Sequence, residues 1–171
     1  MTQIFLQDAV VDDLEELFKD YRLTNSLGVE REVRVFRQDT PIREGEDVED
    51  DLVEDTENAA AAEDPNVPEP YIIVRLASGE VPAQDENQTV AIVLVVCVCD
   101  PDRNRQGYRD ALHIVNTILD HYGSDGVVGK KFQVQYPIRW TPGEEDTHPY
   151  YFAAVALNFE APAIFKEVPE T

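Results

Sequence analysis

Eleven residues, Thr89 to Cys99, constrain this fold more than any other stretch of the chain. From Val90 onward the run reads Val-Ala-Ile-Val-Leu-Val-Val-Cys-Val-Cys, with no polar side chain. Its β-branched content predicts a strand. Successive strand side chains point to opposite faces, so apolar groups here occupy both. Such a strand belongs in the middle of a sheet. The run is about half the ~20 apolar residues that a membrane span needs, and no other window comes nearer. Asp100-Pro101-Asp102 closes it. Cys97 and Cys99 would share one strand face, which disfavours a mutual disulfide. Two ligands alone make a weak zinc site, and the pair reads as small apolar filler.

The elements on either side are read from their periodicity. A helix is expected around residues 6–22, with Val10, Leu14, Leu17, Phe18 and Tyr21 as one stripe. Asp12 and Glu15 have capping-box spacing, which would start that helix later than Leu6 and place acids near its positive end. Asn25-Ser26-Leu27-Gly28 breaks the pattern. Glu32 to Gln38 reads as a strand, with Val33 and Val35 on one face, Arg34 and Phe36 on the other, and Pro41 as its stop. Tyr71 to Ala77 is a strand with Ile72, Val74 and Leu76 aligned, broken at 78–82. A second helix runs from about Gln106 to Tyr122, striped by Tyr108, Ala111, Leu112, Val115, Ile118, Leu119 and Tyr122, with Gly123 at its stop. Phe132 to Trp140 is a strand that Pro137 marks as an edge or a bulge. Tyr150 to Glu160 is the last strand, with Tyr151, Val155, Leu157 and Phe159 towards the core.

That order predicts an α+β protein: a two-layer sandwich in which a mostly antiparallel sheet of about five strands carries two amphipathic helices on one face. The 171 residues, 43% apolar, suit a single domain over 1–171 with a real core. One segment departs from the rest. Residues 39–69 hold thirteen acidic side chains against one basic, Arg43, and so carry −12 of the chain's net −21. The segment is poor in apolar residues other than alanine, and it is expected to be an acidic mobile insert at about 42–69, with a short helix near Val48 to Ala62. It is either a solvated tether or an arm that orders against a neighbour. A charge of −21 excludes a chain that grips DNA or RNA through phosphates, and one that docks on an anionic membrane. The N-terminus lacks a basic secretion-signal region, and a soluble protein made in a cytoplasm is expected.

The search for chemistry yields little. His113 and His121 lie eight apart on one helix, the wrong spacing for an i, i+4 metal pair. His148 with Glu144, Glu145 and Asp146 could be drawn as a metal site, but reads more simply as a solvated turn. Gly126-Val127-Val128-Gly129-Lys130-Lys131 lacks phosphate-loop spacing and reads as a helix-to-strand loop. No enzyme, metal or cofactor is expected. The residue types that favour interfaces remain: Arg34 and Arg37 on the first strand, then Arg139, Trp140 and Tyr150 around one turn. These cations either pair with carboxylates of the same chain or answer the acidic surface of a neighbouring copy.

Three segments add a family resemblance. Pro70-Tyr71-Ile72-Ile73-Val74-Arg75-Leu76, Gly107-Tyr108-Arg109-Asp110-Ala111-Leu112 and His148-Pro149-Tyr150-Tyr151-Phe152 with Ala161-Pro162 occur in that order. They are similar to segments of tail terminator proteins of long-tailed bacteriophages and prophages, over roughly residues 66–168. The resemblance implies a small non-enzymatic α+β subunit, assembled in the host bacterial cytoplasm as a hexameric ring. The ring would cap the tail tube in the virion, end tube polymerisation and present the surface for head joining. Its partners would be copies of itself, the tail tube protein and a head-completion or neck protein, while DNA passes without specific binding. Under that reading Glu44, Glu46, Asp47, Glu49, Asp50, Asp51, Glu54 and Asp55 are candidates for an acidic lumen or rim that repels DNA. The unusually long insert departs from the family pattern. The rival readings are another neck or tail component, such as a head–tail connector or tube protein, and an acidic DNA-mimic inhibitor.

Overall fold

The computed structural model describes residues 2–42 and 67–162. The expected insert core, its acidic candidates Glu44 to Asp55, the helix near Val48 to Ala62 and the tail from Val168 lie outside the described residues.

In chain order the elements are α1 (Thr2–Leu17), β1 (Arg22–Thr24), β2 (Glu30–Glu32), β3 (Arg34–Arg37), β4 (Tyr71–Glu80), β5 (Gln88–Cys99), α2 (Tyr108–Ser124), β6 (Val127–Val128), β7 (Phe132–Pro142) and β8 (Tyr150–Ala161). The class is α+β, as the periodicities imply. Six strands form the main sheet in the order β3-β4-β5-β8-β7-β6, and β1-β2 make a separate hairpin. The apolar run Val90–Cys99 lies third of six, inside the sheet. All pairings are antiparallel except β3 with β4, which is parallel. The sheet is thus mostly antiparallel, as expected, and the exception falls where no short turn joins the strands: 33 residues, 38–70, separate β3 from β4, enough for the crossover a parallel pair requires.

One face of the sheet carries the core. Ile72 and Val74 of β4, Val90, Ile92, Leu94, Val96 and Val98 of β5, and Ala153, Val155, Leu157 and Phe159 of β8 are all buried. They align across the strands, with Val74, Leu94 and Val155 in one row and Ile72, Val96 and Ala153 in the next. Leu6, Val10, Val11 and Leu14 of α1 and Ala111, Ile114, Val115, Ile118 and Tyr122 of α2 close over them in a single cluster. Each such aliphatic side chain contributes ~1.5–3 kcal/mol when fully buried. Polar ties fix the helices laterally. Buried Gln7 donates to the Val74 carbonyl (2.9 Å) and to Gln38 Oε1 (2.8 Å), which also accepts from the Leu76 N–H (2.8 Å). His121 Nε2 meets Asp13 Oδ2 at 2.7 Å and joins α2 to α1.

Several local expectations are corrected. Helix α1 starts at Thr2 and has no acid in its first turn, so Asp12 lies in its second half and Glu15 in its last turn, and neither caps its start. Phe18 and Tyr21 extend its stripe beyond the last turn, with their rings 5.6 Å apart edge to face. The expected strand 32–38 divides at Val33, because β2 turns back onto β1 while β3 joins β4. The β1-β2 turn is made where the break was read. Asn25 Oδ1 accepts from the Leu27 and Val29 N–H groups (3.0 Å each), and Gly28 takes φ +77°. Strand β4 continues to Glu80 past a register shift between Leu76 and Ser78. Gly123 lies inside α2, which ends at Ser124. The bulge expected at Pro137 is present as a register shift between Gln135 and Arg139.

Candidate functional site

Both helices lie on the core face, and no helix among the described residues packs across the other. Alternation fixes what this second face displays. Pairing places Arg34, Tyr71, Cys97 and Phe152 in one row across β3, β4, β5 and β8. Phe36, Ile73, Val95, Ala154 and Thr141 make the next, and Arg75, Val93, Ala156 and Arg139 the third. Beyond them Ala91, Asn158 and Gln135 align, then Glu80, Thr89, Glu160 and Gln133. The centre is therefore a low field of valine and alanine, all half-buried, with aromatics at one end. Arg75 and Arg139 are exposed at its two flanks and make no salt bridge among the described residues. Arg75 donates through Nε to the Gln38 carbonyl (3.3 Å).

Of the interface residues expected from sequence, Arg34, Arg139 and Tyr150 point to this face; Tyr150 stands opposite Cys99. Arg37 and Trp140 do not. Arg37 turns to the helix side, where its Nε donates to Asp8 Oδ1 at 2.7 Å, so for this cation the local pairing holds. Trp140 is opposite Val155 and lies on the helix side at the β7 edge, 52% exposed. Sequence reading passed over Arg75. Its alternation against Ile72, Val74 and Leu76 assigned it to the opposite face, but only the β4-β5-β8-β7 order sets it in line with Arg139.

The aromatic end of the face is braced by the segments that carried the resemblance. Val67–Pro70 are all buried there: Arg31 Nη1 donates to the Val67 carbonyl (2.5 Å), and the Ser26 N–H donates to Glu69 Oε1 (3.0 Å). Gly107, which precedes α2, lies directly against the Tyr151 ring. The Asp100 N–H donates to the Pro149 carbonyl (2.8 Å), and His148 Nδ1 meets the Tyr151 hydroxyl at 3.0 Å. Tyr71, Gly107 and Tyr151, far apart in sequence, thus belong to one end of the sheet.

A groove of about 290 Å³ opens beside this end, with Tyr108, Leu112, Tyr150, Tyr151, Phe152, Arg105 and Asp146 among its lining residues. Arg105 bridges Asp146, and its hydrogen bond holds that carboxyl below the usual carboxylate range. That contact and the His148–Tyr151 bond occupy the turn drawn from sequence as a metal site. Among the described residues, no group of three or more His, Cys, Asp or Glu side chains is placed to hold a metal ion. Burial pushes the Cys97 thiol up to about 12 and the Cys99 thiol up to about 11; both are free. No helix among the described residues is long and apolar enough to cross a membrane.

No protein-family model matches the chain, and no curated protein matches it.

Proposed function

We propose that this chain is a structural subunit of a bacteriophage tail, which joins copies of itself in a ring that caps the tail tube. The ring ends tube polymerisation and presents the surface to which the head-completion or neck protein joins. The observation that carries this reading is the sheet face itself: a six-stranded layer with helices on one side and a half-buried apolar field, flanked by Arg75 and Arg139, on the other. Contiguous apolar surface of this kind, rimmed by polar groups, marks an association surface. The resemblance of the segments at Pro70, Gly107 and His148 to tail terminators supplies the setting.

The physics of a terminator is simple. A head-to-tail contact that does not close propagates without limit, whereas one that closes yields a ring with no free end. A subunit that matches the tube on one side and fails to repeat that side on the other stops growth. The charge of −21 suits a channel that DNA must cross, because like charge opposes adhesion of phosphates where a basic wall would hold them. Assembly in the bacterial cytoplasm and residence in the virion follow from this role.

A second reading is favoured by the same surface. A face that recruits a copy could also serve a tube protein or a head–tail connector, and the polymer distinguishes them. Electron microscopy of the purified full chain, alone and mixed with tail tubes, is expected to show closed rings or capped tube ends. Long filaments of the chain alone would move it to the tube proteins. Monomers at every concentration that also leave tube ends bare would refute both readings.

A further inference from the structure

We infer that the sheet face that carries no helix among the described residues receives the outward side of helix α1 of the next copy, an inference that rests on the ring reading and names its contact. Three features carry it, beginning with what each surface displays. In α1 the buried residues Leu6, Gln7, Val10, Val11 and Leu14 define the inner side. At ~100° per residue, Phe5, Asp12 and Glu16 fall on the opposite side, with Glu15 beside them. Phe5 is 54% exposed and Ile4 44%, an apolar tip on an otherwise acidic surface. The sheet face offers the converse: Val93, Val95, Ala154 and Ala156 in the middle, cations at the flanks, and its acids, Glu80 and Glu160, confined to the far end.

Dimensions agree with the charges. Arg75 and Arg139 stand in one row, separated by the β4-β5, β5-β8 and β8-β7 spacings. At ~4.8 Å per strand that is ~14 Å, wide enough for one helix of ~10–12 Å to lie between them. With Glu15 and Glu16 at the arginine row, Phe5, ~16 Å further along the helix axis, would reach the aromatic end about two rows on, beside Phe152. Glu15, ~100° from Glu16 around the helix axis, would face the guanidinium at one flank, while Asp12 and Glu16, on the side turned to the sheet, would be met by the other, Glu16 leaving its exposed partner Lys19 (2.6 Å).

The sheet's edges do not compete for this role. At one end β6 covers only Phe132 and Gln133 of β7, whose open remainder carries Pro137, Pro142 and a bulge, and at the other β3 is four residues long; both features blunt strand addition. In so acidic a chain, the arginine-flanked field is also where a second acidic copy can approach without repulsion.

Two consequences follow from the placement. The donor helix and the receiving face lie on opposite sides of the same unit, so each copy gives one contact and receives another, and no two-fold pair satisfies both. The contact is also small. From β3 to β7, and from the Phe152 row to the Asn158 row, the field measures ~19 by ~20 Å, or ~400 Å², against ~800 Å² per partner in a standard stable interface. Single contacts are therefore weak, and closure holds the assembly together.

The test is a charge swap in the full chain, read by sedimentation velocity and electron microscopy at low and high salt, with far-ultraviolet circular dichroism to check folding. R75E and R139E, both at exposed positions, should each weaken assembly by about tenfold or more, and salt should weaken the wild type in the same direction. The double change E15R with E16R should do likewise, and R75E/R139E combined with E15R/E16R should assemble again. If a glutamate variant fails to fold, R139Q replaces it, with a smaller loss expected. Closed rings that ignore R139E, or a swap that restores nothing, would overturn this contact and leave the ring reading standing. Filaments abolished by R139E would keep the contact and remove the terminator reading. A wild-type chain that stays monomeric at every concentration would refute the contact.

Discussion

Replacing Gly107 with alanine tests the packing that joins α2 to the aromatic end of the sheet. Gly107 sits at φ −60°, ψ −25°, a backbone conformation any residue adopts. At such a position, Gly→Ala would ordinarily stabilise by ~0.4–1 kcal/mol, because the unfolded chain loses freedom. The surroundings reverse that sign. A Cβ built at residue 107 would lie 2.7 Å from the Asp100 Cβ and closer still to the Tyr151 ring. Carbon atoms prefer ~3.5–4.0 Å, so a neighbour must retreat by about 1 Å. Tyr151 is held by packing on the core and by His148, and cannot swing freely. Overpacking of this kind costs ~1–3 kcal/mol, which leaves a net loss of about 1–2 kcal/mol after the unfolded-state gain. In urea titrations the midpoint should fall with an unchanged m-value, and the melting temperature should drop by ~2–8 °C. In a Y151A background the same alanine should cost less, with a coupling of ~0.5–3 kcal/mol between the two sites. An unchanged or raised midpoint for G107A, or an equal cost in both backgrounds, would show that the ring does not set the limit.

Further outcomes are expected from other parts of the structure. Leu94, fully buried at the centre of β5, should lose ~2–5 kcal/mol as alanine, measured by denaturant unfolding. R37A should cost at most ~1 kcal/mol in the same assay, because the Arg37–Asp8 pair is about half exposed on both sides. Cys97 should resist iodoacetamide at pH 8 in the folded chain and react readily in urea, since burial keeps its thiol protonated up to about 12. The folded chain then holds a proton that the unfolded chain releases near pH 9, so this contribution to stability is intact below pH 9 and is lost as pH rises towards 12; a C97A variant should show a shallower alkaline loss.

How much of this molecule could be read in advance depends on the range of the force concerned. Burial leaves a local imprint. The unbroken apolar run at Val90–Cys99, the stripe through Ala111, Val115 and Ile118, and the alternation of Val155, Leu157 and Phe159 each report a periodicity that one element alone can satisfy. The α+β class and the central place of β5 were legible for that reason, as was the bulge at Pro137, where a missing N–H interrupts the ladder. Helix ends were less legible. Asp12 and Glu15 have cap spacing, yet the helix begins at Thr2, where Leu6 enters the core cluster and Gln7 bonds the Val74 carbonyl of β4, and a local motif cannot weigh those contacts. The mostly antiparallel pairing followed from the short turns, but strand order and register were not legible, since they join residues that no window contains. The parallel β3-β4 contact, the turning of Arg37 to Asp8 and of Trp140 to the helix side, and the alignment of Arg75 with Arg139 through two intervening strands exist only once the strand order is set. Composition along the chain encodes which surfaces must avoid water; the register between distant strands decides which residues then share a face, and so where a partner can bind.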